Sequence, residues 1–205
     1  MNYLAHMYLS GTNERTLVGN FIGDYVKGRD WDKYPEEIKK GILLHRKIDS
    51  FTDAHPKFRE AKMLFRKEYG LYSGIIIDFL YDHYLAKNWH LYHDSTLRNF
   101  AKRSHAILLQ NFRKLPMRVQ GFLPFLIQNR RLESYASMNG IIQSLKIMSN
   151  YSSLPEKSDF VKKTVKEKDK YFETNFREFM LDMIEFVNQK HQLDISIPEV
   201  SIVSK

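Results

Sequence analysis

Cysteine is absent from the 205 residues, which excludes disulfides and thiolate metal sites. Any metal must therefore be held by His, Asp, Glu, Asn or water, donors that suit hard or borderline cations such as Mn²⁺, Mg²⁺, Fe²⁺ or Zn²⁺. Long apolar runs are missing as well. The best, Ile75 to Leu85, is interrupted by Asp78, Asp82 and His83 and falls short of the roughly 18 residues that a bilayer span needs. The opening MNYLAHMYLS has neither a basic leader nor a small-residue cleavage site, so it reads as mature structure and the expectation is a cytoplasmic protein. There is no Gly-x-Ser-x-Gly elbow and no phosphate loop of the Walker type, which leaves serine nucleophiles and P-loop chemistry without support. Alternating β-branched residues are confined to the tail, Asp194 to Val203.

What remains is helical. Apolar residues recur at three- and four-residue steps almost throughout, which predicts an all-α fold with helices over about 2–10, 14–28, 35–52, 56–68, 72–90, 95–113, 116–129, 132–150 and 156–190. Pro35, Pro56 and Pro155 stand where first helical turns begin, and Gly28 and Gly70 where helices stop. The length favours one domain over 1–205, with a polar, chemistry-bearing half (1–90), a supporting helical part (95–150) and a C-terminal helix and tail (155–205). Phe172, Phe176, Phe179, Met183, Ile184 and Val187 make a long amphipathic stripe in that last part. Lys162 to Lys170 carries five lysines and reads as a solvated face or a partner surface. The net charge of +8 attracts polyanions.

The chemistry is expected where polar residues interrupt apolar helix faces, because an unpaired buried charge is costly and a bound cation offsets that cost. Asn2 and His6, Asn20 and Asp24, His45 and Asp49, and Asp78 and Asp82 are each four apart, so each pair shares a helix face. His45 and Asp49 lie with Ile38, Ile42, Ile48 and Thr52 on the inward side. Gly19 and Gly23 let another element approach the Asn20 face. Asp78 and Asp82 sit in a helix that is apolar all round, and His83 follows directly. His90, His93 and Asp94 read as a surface loop.

MNYLAHMYLS, VGNFIGDYVKG, YPEEIKKGILLHRKIDSFTDAHP and SGIIIDFLYDHYLAKNW resemble, in order and spacing, the motifs of the acyl carrier protein phosphodiesterases. The resemblance covers about residues 1–90 and thins beyond. It implies a divergent HD-like phosphohydrolase, all-α and Mn²⁺-dependent, that hydrolyses the phosphodiester joining 4′-phosphopantetheine to a serine of holo acyl carrier protein. HD enzymes carry an adjacent His-Asp pair; this chain has Asp82-His83 and His45-x3-Asp49 in its place.

For such a reaction, Asp24, His45, Asp49, Asp78 and Asp82 are the expected metal ligands. His6 and His83 are candidates to protonate the leaving oxygen or complete the metal shell, and Arg46 to clamp a phosphate oxygen. Asp53 and His55 would orient a ligand. A carrier protein is acidic, so Lys27, Arg29, Lys47, Arg66 and Lys67 would steer it. The rivals are an HD-like hydrolase of nucleotides or other small phosphoesters, and a noncatalytic basic binding protein. Recognised basic nucleic-acid motifs are missing, which disfavours the latter.

Overall fold

A computed structural model of the chain describes residues 1–198. Among these the regular structure is helical and no strand occurs. The helices are α1 (Tyr3–Tyr8), α2 (Glu14–Ile22), α3 (Glu36–Ala54), α4 (Pro56–Tyr69), α5 (Ser73–Lys87), α6 (Trp89–Tyr92), α7 (Leu97–Gln110), α8 (Met117–Gln128), α9 (Arg131–Ser134), α10 (Met138–Tyr151), α11 (Ser158–Glu167) and α12 (Asp169–His191). Single 3₁₀ turns fill Gly23–Tyr25, Asp30–Lys33, Gly70–Tyr72 and Phe112–Lys114.

Local chemistry sets most of the boundaries. The Asn13 side chain accepts from the backbone N–H groups of Arg15 and Thr16 to start α2, and Thr96 and Ser137 do the same for α7 and α10; each satisfies a donor the helix itself leaves unpaired. Pro56 opens α4, with His55 as its cap. The helix expected over 14–28 ends early, at Ile22, because Gly23–Tyr25 tightens into a 3₁₀ turn. The single helix expected over 156–190 is two. The backbone leaves the helical region at Lys168 (φ −128°), whose N–H bonds back to Thr164 and Val165. The break lets α11 pack on α10 while α12 crosses α3, α4 and α5. All six residues of the predicted stripe on α12 are buried. The strand-like tail has no regular structure over its described part and is held by Asn188 bonding both polar backbone atoms of Ile195; residues 199–203 lie outside the described residues.

Helix α2 crosses α3 with the two backbones in contact. A Cβ on Gly19 would lie 2.0 Å from the Ile38 carbonyl oxygen, and one on Gly41 2.2 Å from that of Thr16. Two glycines facing each other thus bring the backbones into contact and carry Asn20 against the inward face of α3. Helix α5 is buried almost all round, from Ile76 and Ile77 through Phe79–Ala86, and packs on α1, α4 and α10. The buried apolar residues form one cluster running from α1 to the tail.

Candidate metal centre

Asn20, fully buried on α2, organises the site. Its Nδ2 donates to the His6 carbonyl (2.7 Å) and to Ser10 Oγ (3.0 Å), which leaves its Oδ1 to accept from His6 Nδ1 at 2.8 Å. The backbone carbonyl of the same residue accepts from His45 Nδ1 at 2.7 Å. Both imidazoles are therefore protonated on Nδ1, and in their neutral forms both carry a lone pair on Nε2. The rings stack at 4.0 Å and 16°, and Gly23 makes the space: a Cβ there would fall 2.2 Å from the His45 ring.

Asp49, one turn after His45, stands between the two Nε2 atoms. Its Oδ1 lies 3.2 Å from His6 Nε2 and its Oδ2 3.1 Å from His45 Nε2, and Asp24 Oδ1 is 3.3 Å from His45 Nε2. Close as they are, both Nε2 atoms are buried without a hydrogen bond. His6, His45 and Asp49 each offer a ligand atom within 4.8 Å of the others, and the carboxylates there call for a positive charge, which a proton on His45 Nε2 supplies in the free site and a bound cation would supply in its place. Nitrogen and oxygen donors with the imidazole Nδ1 atoms fixed from behind suit a borderline divalent ion.

The electrostatics follow from the same geometry. Burial opposes a charge on either ring. For His6 it prevails, reinforced by His45, and the pKa falls to about 4. For His45 the Asp24 and Asp49 carboxylates outweigh burial and raise it to about 9. Burial favours the neutral form of Asp49, but contacts with His45 and His6 hold its carboxyl well below the usual range, and His45 likewise lowers that of Asp24.

The centre opens into a cavity of about 380 Å³. Asp24, Asp49, Asp53 and Asp78 give it negative charge, and Ile75, Phe79 and Met148 an apolar wall. Asp78 stands beyond the cluster: its Oδ1 is 3.0 Å from the Met1 amino group, itself 3.6 Å from Asp49, and burial pushes its pKa up. Tyr3 and Tyr25, which sequence patterns did not single out, share a hydrogen bond of 2.6 Å between hydroxyls on the cavity wall. Burial raises both phenols, so both stay protonated.

Three expected site residues have other partners. Asp82, one turn from Asp78, is turned to the start of α1, where its two oxygens accept from the Leu4 and Ala5 N–H groups at 2.9 and 3.0 Å. That is a helix cap supplied from another element. His83 donates from Nδ1 to the Tyr135 carbonyl at 2.7 Å. Arg46 donates to the carbonyls of Val26 and Gly28 at 3.0 and 2.9 Å, which holds the loop after the 3₁₀ turn. Of the two residues expected behind the ligands, Asp53 lines the cavity, whereas His55 faces Asp182 on α12 at 3.1 Å. His93 is half-buried, stacked on Trp89.

Comparison with known proteins agrees with the motifs. The family model described as acyl carrier protein phosphodiesterase matches residues 1–183. Among curated relatives, the acyl carrier protein phosphodiesterases of Yersinia pestis and Pectobacterium atrosepticum are each 36% identical, over 151 and 150 residues, covering 73% of this chain and 78% of theirs. That of Salmonella agona is 34% identical over 151 residues with the same coverage. No solved structure matches the chain. With most of its length under the family model and relatives above one-third identity, the chain belongs to the acyl carrier protein phosphodiesterase family.

Proposed function

We propose that this protein hydrolyses the phosphodiester between 4′-phosphopantetheine and a serine of holo acyl carrier protein, giving apo carrier protein and 4′-phosphopantetheine, at a divalent cation held by His6, His45 and Asp49. The observation that carries the reading is the pair of buried imidazoles with Nδ1 fixed and Nε2 aimed, without a hydrogen bond, at one carboxylate. The names of the family and its curated relatives support the substrate.

Asp24 would complete the donor set from beside His45. Mn²⁺ is the cation we favour, since mixed imidazole and carboxylate donors accept it. Such an ion supplies Lewis acidity, acidifying water and offsetting charge on the phosphate oxygens. Asp82, His83 and Arg46 are left out of the proposed reacting set because their polar atoms are engaged elsewhere.

The chain's own groups do the rest. Asn20 keeps both imidazoles in one tautomer and orientation through its side chain and its carbonyl. In the Tyr3–Tyr25 pair one hydroxyl donates to the other, and the acceptor keeps a proton that is free for an oxygen of the substrate. Ile75, Phe79 and Met148 give the carbon skeleton of the pantetheine arm an apolar wall.

The test is metal removal and return. Protein stripped with a chelator should lose release of phosphopantetheine from holo carrier protein and regain it on addition of Mn²⁺. Full activity in the stripped protein, with metal content verified by elemental analysis, would contradict the reading.

A further inference from the structure

The cavity beside the centre has one feature that the reaction leaves unexplained: its walls carry four carboxylates against a single cation, the Met1 amino group, which is already paired with Asp78 and Asp49. Further cations lie at its edge. A neighbouring hollow of about 340 Å³ is lined by Asp24, Tyr25, Lys27, Pro116 and Arg118, and another of about 410 Å³ shares Tyr25 and Pro116 and adds Lys33 and Lys114. Lys33 is already tied to Asp30, but Lys27, Lys114 and Arg118 take part in no ion pair among the described residues. All three are exposed.

Two of these cations stand on fixed surroundings. Arg46 pins the carbonyls of Val26 and Gly28 on either side of Lys27, and the Arg118 guanidinium lies over the Tyr25 ring, 5.8 Å from its centroid. Between Lys114 and Arg118, Met117 is 87% exposed at the start of α8. A flexible apolar side chain among unpaired cations fits a protein surface, where methionine and arginine are enriched at contacts, better than a phosphate backbone.

We propose that Lys27, Lys114 and Arg118, with Met117 among them, form the docking surface for an acidic protein, and that it seats the carrier domain beside the centre so that its arm enters the cavity past Asp24 and Tyr25. The partner's identity rests on the function proposed above; the surface and its charge do not. Docking in this way raises encounter and affinity while leaving the chemical step untouched.

The experiment compares Lys27→Glu/Arg118→Glu with a control of equal charge change on another basic face, Lys162→Glu/Lys166→Glu on α11. Steady-state kinetics on holo carrier protein and direct binding of apo carrier protein are measured at low and at raised salt, with melting temperature and Mn²⁺ binding as checks on folding. For the edge variant, KM and the Kd for apo carrier should rise by about tenfold or more at low salt, with kcat within about twofold, and the control should stay within about twofold in all three. Equal weakening in both variants, a fall in kcat with KM unchanged, or unaltered binding in the edge variant would overturn the proposal; so would a wild-type protein that binds nucleic acid through these residues and ignores the carrier. If wild type binds the carrier but does not cleave it, the proposed activity fails, and the docking surface is still judged on the Kd of the variants.

Discussion

Asp49 and Asp82 both interrupt apolar helix faces, yet the fold gives them different work. Asp49 faces the Nε2 atoms of two imidazoles, whereas Asp82 accepts from two backbone amides of α1. Asp49→Ala should therefore abolish Mn²⁺ binding in a calorimetric titration, while Asp82→Ala binds the ion as before but loses about 1–3 kcal/mol of unfolding free energy, because two buried donors are left unpaired. Loss of Mn²⁺ binding in Asp82→Ala with an unchanged denaturation midpoint would reverse the two assignments. Asp82 also has a pH signature. Burial outweighs its two amide bonds and the Met1 amino group, and with Asp78 nearby raises the pKa to about 7. A carboxyl that binds its proton more tightly when folded stabilises below its unfolded pKa, so the contribution of Asp82 should fall as pH rises from about 4 through 7, while His6, lowered to about 4, contributes in the opposite sense over the same range. The stability difference between wild type and Asp82→Asn, from denaturant unfolding, should therefore shift against wild type as pH rises across that range, and a difference that does not change with pH would contradict the assignment. The four-residue spacings were legible because they follow from helical geometry alone. Which of them converge was not: His6 meets His45 only because Asn20 bonds both, and nothing around Tyr3 or Tyr25 distinguishes them from other core aromatics.

At the scale of elements, the crossing of α2 on α3 carries most of the site, since Asn20, Asp24, His45 and Asp49 all belong to these helices or to the 3₁₀ turn that follows α2. Gly41→Ala should destabilise by about 1–3 kcal/mol through overpacking, because its Cβ would press on the Thr16 carbonyl, and should weaken Mn²⁺ binding by moving Asn20. Gly121→Ala, on α8 with open space around its Cβ, should instead stabilise by up to about 1 kcal/mol by restoring helix propensity. Thermal unfolding of the two variants checks both signs, and equal effects would show that the crossing is not tight. Apolar periodicity and proline positions made the helices readable, and the inward set of α3, Ile38, Ile42, Ile48 and Thr52, is buried as the pattern predicts. The break at Lys168 was hidden. No glycine or proline marks it; it arises because α11 and α12 have different packing partners.

At the scale of the molecule, the formal charge of +8 coexists with a cavity rich in carboxylates, and the docking surface proposed above would separate attraction of an acidic substrate from its chemistry. Steering by exposed cations is screened over about 10 Å at 0.1 M salt, and kcat/KM for a carrier protein should fall with ionic strength while Mn²⁺ affinity, set inside the fold, changes far less. Among the described residues no helix is long and apolar enough to cross a membrane, and the buried apolar cluster extends from α1 to the tail, so the centre rests on a core built from both ends of the chain. The most direct measurement is the mass of holo acyl carrier protein after incubation with this protein and Mn²⁺, run beside Asp49→Ala. Wild type should remove the mass of phosphopantetheine and leave the serine hydroxyl, and Asp49→Ala should leave the carrier unchanged. A carrier that keeps its full mass with wild type, or loses it equally with the variant, would contradict the account.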